Sequence, residues 1–337
     1  MRRKKNNSTK VLLLIALLLV IVNIVLFKTV VINDTPRDAV DMRDYILDVE
    51  EQEQEPSLPV KKIPEGYEPI IVSTDEIHSG DLILISNDYE FVFDATPSYC
   101  KRETPVSVYG LKNKNYTLLD TSIYLNKTVI ENLNALFTEY RGVSGKADIM
   151  INSAFRTYDD QKAMLEKKIE QYGEEQGRLI ATNPGFSEHH TGLGFDICIF
   201  ENGRSRTFEF DETHIYIPQN CHKYGFIQRY PEGKTVITGI TTEPWHYRYV
   251  GVPHSYYIYE NGLCLEEYID ILRGYPFNIN HLKVSADGKS YEVYYVEATE
   301  GTTQIYVPSD KAYEISGNNV DGFIVTVDMS VKEEITE

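Results

Sequence analysis

An apolar run near the N-terminus limits the possible folds of this chain more than any other feature. Residues 11–27, VLLLIALLLVIVNIVLF, are interrupted only by Asn23, and TVVI follows after Lys28. An α-helix of about 20 apolar residues spans the roughly 30 Å hydrocarbon core of a bilayer. Basic residues precede the run and acidic residues follow it, so we expect a single-pass anchor with a cytoplasmic N-terminus. A cleaved signal peptide is the alternative, but no small-x-small cleavage site follows Phe27.

The composition changes directly after this run. Residues 33–68 are acidic, rich in Glu, Gln and Pro, and without apolar periodicity, which is typical of a flexible linker. We therefore predict four parts. They are a basic tail and transmembrane anchor (1–32), a linker (33–68), an extracytoplasmic domain (69–274) and a small β-rich extension (275–337).

The charge of the chain excludes one class of partner. It has 33 basic and 51 acidic residues, for a formal charge of −18. Nucleic-acid-binding proteins need basic surfaces to neutralise phosphates, so no nucleic-acid partner is expected.

The cysteines carry less information. Cys100, Cys198, Cys221 and Cys264 all lie in the extracytoplasmic part, where disulfides are permitted. None belongs to a CxxC pair, so a structural zinc cluster is not expected, and three disulfide pairings stay open. Cys198, inside an apolar run, is expected to pack in the core.

Periodicity predicts helices and strands in alternation. Residues 81–93, DLILISNDYEFVF, read as two strands around a turn at Asn87–Asp88. Apolar residues recur at steps of three and four over 125–140, which predicts an amphipathic helix that ends near Gly145. Residues 147–155 are a predicted strand, and Thr157 and Asp160 occupy capping-box positions of a second helix.

The rest of the chain continues this pattern. LGFDICIF, YGFIQRYP and WHYRYVGV are predicted strands, GLCLEEYIDILRG is a predicted helix, and short strands separated by turn residues follow Tyr275. The expected fold class is α+β, with a small antiparallel sheet and flanking helices.

One stretch, PGFSEHHTGLGFDICIF (184–200), has the composition of a metal site. His189 precedes a predicted strand that contains Asp196, and Gly192 allows a turn between them. Imidazole and carboxylate are zinc ligands, and a carboxylate between apolar neighbours needs a charged partner. The alternative is an exposed histidine pair with an Asp on an edge strand.

A second stretch, TTEPWHYRYVG (241–251), places Glu243 and His246 on either side of the only Trp, Trp245. A metal-binding histidine with a nearby glutamate as general base is typical of zinc hydrolases. The chain contains no HExxH motif, which excludes a thermolysin-like site. The alternative is a core Trp beside a surface ion pair.

A third stretch, INSAFRTYDDQ (151–161), ends a strand at Arg156. A guanidinium at a strand end suits a carboxylate, which it binds through two hydrogen bonds. The alternative is an ordinary salt bridge.

Together these stretches resemble the VanY-type D-alanyl-D-alanine carboxypeptidases, a zinc peptidase group with the hedgehog/DD-peptidase fold. The S-x-H-x-x-G-x-A-x-D pattern is similar to the segment 187–196, and E-x-x-W-H appears, slightly compressed, in 243–246. The S-x-Y-R-S/T…Q pattern is similar to 153–161, and the resemblance covers roughly 80–273. Gly194 and Phe155 replace the usual Ala and Tyr, and His190 occupies a common Gln position.

The resemblance implies the following roles. His189, Asp196 and His246 bind Zn²⁺. Independently of the resemblance, an extended segment would point His190 away from His189, so we expect His190 behind the ligands or at the surface. Glu243 is the general base and acid. Arg156 binds the substrate carboxylate, and Ser187, Gln161 and Trp245 line the same pocket.

The resemblance also implies an activity. The enzyme removes the terminal D-alanine from peptidoglycan stem peptides ending in D-Ala-D-Ala, at the outer face of the cell membrane. Two alternatives stay open. One is an L,D-carboxypeptidase or endopeptidase of the cell wall, and the other is a non-catalytic zinc-containing module that binds the wall.

Overall fold

The computed structural model describes residues 63–330. The predicted anchor and most of the predicted linker lie outside these residues. Within them, no helix has the length and apolar character needed to cross a membrane.

Fourteen strands lie in the described region. They are β1 (Tyr67–Ser73), β2 (Val106–Ser107), β3 (Thr117–Leu118), β4 (Tyr124–Leu125), β5 (Ile149–Ser153), β6 (Gly194–Glu201), β7 (Arg204–Thr207), β8 (Phe226–Tyr230), β9 (Glu243–Tyr249), β10 (Leu282–Ala286), β11 (Lys289–Glu297), β12 (Thr302–Pro308), β13 (Tyr313–Gly317) and β14 (Gly322–Asp328).

The same region contains seven α-helices. They are α1 (Lys127–Ser144), α2 (Tyr158–Tyr172), α3 (Glu174–Ile180), α4 (Tyr216–Asn220), α5 (Thr235–Thr238), α6 (His254–Asn261) and α7 (Leu265–Leu272). Short 3-10 helices cover Thr74–His78, Glu188–Thr191 and Cys221–Tyr224.

The central sheet has the strand order β3-β5-β6-β9-β8, and β7 pairs with β6 at one side. All pairs are antiparallel except β3–β5. One face of the sheet packs against α1 in the largest apolar cluster, which includes Phe137, Ile151, Ile197 and Tyr247. The opposite face carries the polar side chains of β6 and β9.

Both predicted long helices form, and local sequence explains their ends. The apolar stripe of α1 is buried, and Gly145 ends the helix in the left-handed conformation with φ 73°. Thr157 and Asp160 form the predicted capping box at the start of α2.

The C-terminal strands form a second sheet with the order β10-β11-β14-β13. β12 instead pairs antiparallel with β1, so that Tyr67 lies opposite Pro308. Tyr67 and Glu68 were predicted to end the linker, but they begin this strand. Residues 63–330 therefore belong to one compact unit in which the predicted extension shares a strand pair with the N-terminal segment.

The prediction of two strands in 81–93 is wrong, although its turn is present. Ser86 and Tyr89 exchange backbone hydrogen bonds of 3.2 and 3.3 Å across Asn87–Asp88. The flanking residues form no β-ladder, because their backbone groups bind other partners. Leu82 N–H donates to Ser316 Oγ, and Leu84 N–H donates to the Asn318 carbonyl.

All four cysteines are buried and unpaired, and Cys198, on β6, is buried as expected.

Candidate active site and metal centre

Strand pairing brings the three sequence motifs together. Asp196 on β6 lies opposite His246 on β9 and, on its other side, opposite Ser153 on β5. His189 lies in the 3-10 helix that precedes β6. This helix ends at Gly192, whose φ is 72°. The left-handed turn at Gly192 returns the chain to β6, so His189 lies over the strand that carries Asp196.

The predicted metal ligands form one group. One ligand atom from each of His189, Asp196 and His246 lies within 4.8 Å of the others. His189 Nε2 is 3.5 Å from Asp196 Oδ2, and His246 Nδ1 is 2.7 Å from Asp196 Oδ1. Two imidazoles and a carboxylate are a donor set that suits Zn²⁺.

Hydrogen bonds orient both imidazole rings. His189 Nδ1 is 2.7 Å from the Ala154 carbonyl, which can only accept, so Nδ1 carries the proton and Nε2 is free to bind a cation. Burial lowers the pKa of His189 to about 4, so this ring is neutral at physiological pH. His246 Nε2 lies 3.2 Å from Glu188 Oε2, which leaves Nδ1 on the side of Asp196.

Glu188 belongs to a buried ionic network that the sequence analysis missed. Its Oε1 accepts from Arg229 Nε at 2.7 Å and from Arg248 Nη1 at 2.8 Å, and both arginines are fully buried. Arg229 also donates two hydrogen bonds to Glu266. Burial alone would raise the pKa of Glu188, but the two guanidinium groups hold it well below its usual range. We call Glu188, Arg229, Arg248 and Glu266 the arginine network.

A signal for this network was present in the sequence. Arg229 and Arg248 each lie inside an apolar strand segment, FIQRY and HYRYV. A guanidinium at such a position requires a buried anion. Glu188, between the motif residues Ser187 and His189, was the carboxylate to consider.

Glu243 begins β9 and is partly buried beside the ligands. Burial raises the pKa of its carboxyl, the neighbouring His246 opposes this shift, and the negative charge of Asp196 reinforces it. A carboxylate with a raised pKa is a better proton acceptor near neutral pH. Trp245, also partly buried, packs against the main apolar cluster.

Arg156 follows β5, and not all of its guanidinium nitrogens are hydrogen-bonded. Nη1 donates to Gln161 Oε1 at 2.5 Å, and Nη2 is 3.5 Å from Ser153 Oγ. Nε is buried and has no partner. Gln161 is buried and is itself held by the Thr182 carbonyl at 2.8 Å. Among the described residues, Arg156 forms no ion pair, so its charge is available to an anionic ligand.

The remaining predicted residues also lie in this region. Ser187 is buried directly before the 3-10 helix that carries His189. His190 is buried as well: its Nδ1 is 2.8 Å from the Arg156 carbonyl, and its Nε2 accepts from Gly185 N–H. His190 is not part of the ligand group, but its hydrogen bond connects the Arg156 backbone to the 3-10 helix that carries His189.

Comparison with known proteins identifies the family. The family model described as "VanY: D-alanyl-D-alanine carboxypeptidase" matches residues 122–252. A D-alanyl-D-alanine carboxypeptidase of Enterococcus faecium is 37% identical over 262 residues, which cover 76% of this chain and 78% of that protein. This chain belongs to the VanY family of D-alanyl-D-alanine carboxypeptidases. The resemblance inferred from the three motifs is thereby confirmed.

Two further relatives agree with this assignment. The bifunctional D-Ala-D-Ala dipeptidase and D-Ala-D-Ala carboxypeptidase VanXYC of Enterococcus gallinarum is 34% identical over 157 residues, which cover 45% of this chain and 81% of that protein. The solved structure of the vancomycin-resistance D,D-dipeptidase VanXYg, in complex with a D-Ala-D-Ala phosphinate analogue, is 30% identical. It aligns with a TM-score of 0.67 over 78% of this chain and 99% of that chain.

These findings bear on the fold and the reaction. The VanY-family chain has a mixed α/β fold similar to that of VanXYg. It is an enzyme, and the predicted D,D-carboxypeptidase activity is confirmed. The parallel β3–β5 pair makes the central sheet mixed, where the sequence predicted an antiparallel one.

Proposed function

We propose that this enzyme is a zinc-dependent D,D-carboxypeptidase that removes the terminal D-alanine from peptidoglycan stem peptides. The proposal rests on one observation: three chemical features lie close together at the central sheet. These are a group of two imidazoles and a carboxylate, a carboxyl with a raised pKa, and an arginine that forms no ion pair with any residue of 63–330.

The ligand group fits Zn²⁺. His189 Nε2 and His246 Nδ1 face Asp196, and the opposite nitrogen of each ring is held by the Ala154 carbonyl or by Glu188. Such outer hydrogen bonds fix the tautomer and the orientation of metal-binding histidines. Zn²⁺ bound there would supply Lewis acidity to the scissile carbonyl and to the attacking water.

Glu243 is suited to move the proton. Its carboxylate takes a proton from the attacking water and then delivers it to the leaving amine nitrogen of the terminal D-alanine. The C–N bond breaks readily only when the amine nitrogen is protonated, so the proton that Glu243 has taken from water assists the departure of D-alanine.

Arg156 is suited to select a free C-terminus. Its guanidinium forms no ion pair within residues 63–330, and its position near Asp196 and Glu243 allows it to bind the terminal carboxylate of the peptide. Gln161 and Ser153 hold the guanidinium in place, and we assign Ser187 and Trp245 to the walls of the same pocket.

The test uses the full-length protein and a pentapeptide ending in D-Ala-D-Ala. Wild type should release free D-alanine, and a chelator should abolish release until Zn²⁺ is restored. Glu243→Gln should bind Zn²⁺ with unchanged stoichiometry and lose at least about 100-fold in kcat, as expected for a general base. Zinc binding without product from any wall peptide would instead favour the non-catalytic module.

A second substrate separates the remaining alternatives. Amidation of the C-terminus removes the carboxylate, so the amidated pentapeptide should be cleaved far more slowly. Unchanged cleavage would refute the role of Arg156 and favour an endopeptidase. A tetrapeptide with an L,D bond at its end distinguishes the L,D-carboxypeptidase.

We also propose that the enzyme is anchored in the cell membrane with its catalytic domain outside. The apolar run at 11–27 and its basic flank support this proposal. In intact protoplasts, externally added protease should degrade the catalytic domain, and the enzyme should stay with the membrane after a carbonate wash. Protection from the protease would refute the orientation.

A further inference from the structure

One side chain from the turn between β13 and β14 holds a segment of the catalytic part of the chain. Asn319 is buried and has φ 60°, a conformation that asparagine adopts more readily than most residues. Its Nδ2 donates to the Leu84 carbonyl at 2.8 Å and to the Glu90 carbonyl at 3.0 Å. Its Oδ1 lies 2.6 Å from His78 Nδ1. Both donors and the oxygen of this amide are therefore hydrogen-bonded, and they fix residues 78–90 on the C-terminal sheet.

The residue after Glu90 connects this segment to His190. Phe91 N–H donates to the Gly185 carbonyl at 2.8 Å, and Gly185 N–H donates to His190 Nε2 at 3.1 Å. The Phe91 ring also stacks on the His190 ring, with 6.2 Å between the centroids. Gly185 has φ 91°, and a Cβ on it would lie 2.4 Å from Glu90 Oε1. The two segments are therefore in direct contact, and only glycine fits at this position.

His190 completes the connection to Arg156. Because Nε2 accepts from Gly185, the ring proton is on Nδ1, which donates to the Arg156 carbonyl at 2.8 Å. Arg156 N–H donates in turn to the His189 carbonyl at 3.1 Å. The backbone of Arg156 is thus held on both sides by the residues that precede β6. A continuous series of hydrogen bonds joins it to Asn319.

We propose that Asn319 is a positioning residue for Arg156, through which the C-terminal sheet contributes to binding of the peptide's terminal carboxylate. The inference rests on the proposed function, because it takes Arg156 to be the residue that binds this carboxylate. Asn319 fixes Glu90 and Phe91, and through Gly185 these residues set the position of the Arg156 backbone. A displacement of about 1 Å in a substrate-positioning group is enough to weaken its action.

The experiment uses the full-length enzyme and the pentapeptide ending in D-Ala-D-Ala. Glycine adopts φ 60° without strain, so Asn319→Gly removes the amide and keeps the backbone. KM should rise by roughly 2- to 30-fold, the range for residues that influence a site through intermediate contacts. The kcat value should stay unchanged, as expected when binding of substrate and of transition state weaken equally. The affinity for Zn²⁺ should also stay unchanged, because the hydrogen bonds lead to Arg156 and not to a ligand side chain.

Two further variants control for folding and for the backbone. Asn202 is an exposed asparagine with φ 54°, so Asn202→Gly makes the same change elsewhere and should alter none of these values. Asn319→Asp keeps the size of the side chain and an oxygen for His78 but cannot donate to Glu90. It should raise KM as Asn319→Gly does, which tests the same contact if the glycine variant fails to fold.

A double variant shows whether Asn319 acts through Arg156. If it does, Asn319→Gly should add nothing to the KM of Arg156→Lys, whereas independent effects would multiply. The inference is wrong if the two effects multiply, if KM is unchanged in both Asn319 variants, or if zinc affinity falls together with the rise in KM.

The single variants separate this inference from the proposed function. A raised KM in Arg156→Lys with an unchanged KM in Asn319→Gly would leave the proposed function intact and overturn the role of Asn319. An unchanged KM in Arg156→Lys would instead refute the carboxylate role, and hydrogen exchange then tests the connection itself. Measured by mass spectrometry on the full-length protein, exchange of the peptide that contains Gly185 should be faster in Asn319→Gly than in wild type. Equal exchange would show that Asn319 does not hold this segment.

Discussion

Replacement of Glu188 by Gln tests whether the arginine network supports the metal centre. Glu188 accepts hydrogen bonds from two fully buried arginines and holds His246 Nε2. Gln keeps the size of the side chain and one acceptor oxygen but removes the charge. The change should therefore reduce both the free energy of unfolding and the affinity for Zn²⁺.

The two effects have different sizes. Removing one partner of a buried ion pair costs about 3–5 kcal/mol, because the other charge is left uncompensated. Here Glu266 still neutralises Arg229, so the lower end of that range is expected. Loss of an outer partner of a metal-binding histidine lowers metal affinity by about 10- to 100-fold.

Urea unfolding of the chelator-treated protein measures the first effect, and competition with a chromogenic chelator measures the second. Glu266→Gln is the matched control, since it removes a carboxylate from Arg229 without contact to His246. It should destabilise the protein and leave zinc affinity within about twofold of wild type. Equal zinc affinity in Glu188→Gln and wild type would refute the argument that Glu188 orients His246.

Three other changes test separate parts of the structure. Arg156→Lys keeps the charge but loses the planar guanidinium, so KM for the pentapeptide should rise by at least about tenfold, and an unchanged KM would contradict the carboxylate role. Burial raises the pKa of Asp81 from 3.8 to about 6, although the positive charge of Lys101 opposes this shift. Between pH 3.8 and about 6, the folded state therefore binds more protons than the unfolded state. The free energy of unfolding should fall by up to about 3 kcal/mol as the pH rises through that window, and Asp81→Asn should remove this slope in urea titrations. Gly192→Ala forces a side chain into φ 72° with its Cβ 2.3 Å from Asn126 Oδ1, so calorimetry should show a loss of about 1–3 kcal/mol.

The sequence predicted those parts of the molecule in which local rules agree with the final packing. The stripe of α1, the capping box of α2 and the strands β6 and β9 all follow from spacing within one segment. Strand pairing then brings His189, Asp196 and His246 together, as the motifs implied. Assignment of their roles stays a prediction until the variants are measured.

The failures share a physical cause. Residues 81–93 have the composition of strands, but their backbone partners are Ser316 and Asn318, more than two hundred residues away. Likewise, the apolar segments around Arg229 and Arg248 indicate a buried anion, but nothing local to β8 or β9 identifies Glu188 as that anion. Pairings over such distances depend on the topology of the fold, which the periodicity within one segment does not indicate.

The pairing of β1 with β12 has a consequence for the order of folding. Ser73, the last residue of β1, lies opposite Thr302, the first residue of β12, so the two strands are 229 positions apart in the sequence. At 5–20 residues per second, the ribosome needs on the order of 10–50 s to supply the second strand after the first. Throughout that interval β1 has an unpaired edge, which is a site for misassembly with other chains. Completion of the domain thus waits for the C-terminal strands, and a chain that stops before residue 302 cannot form this ladder.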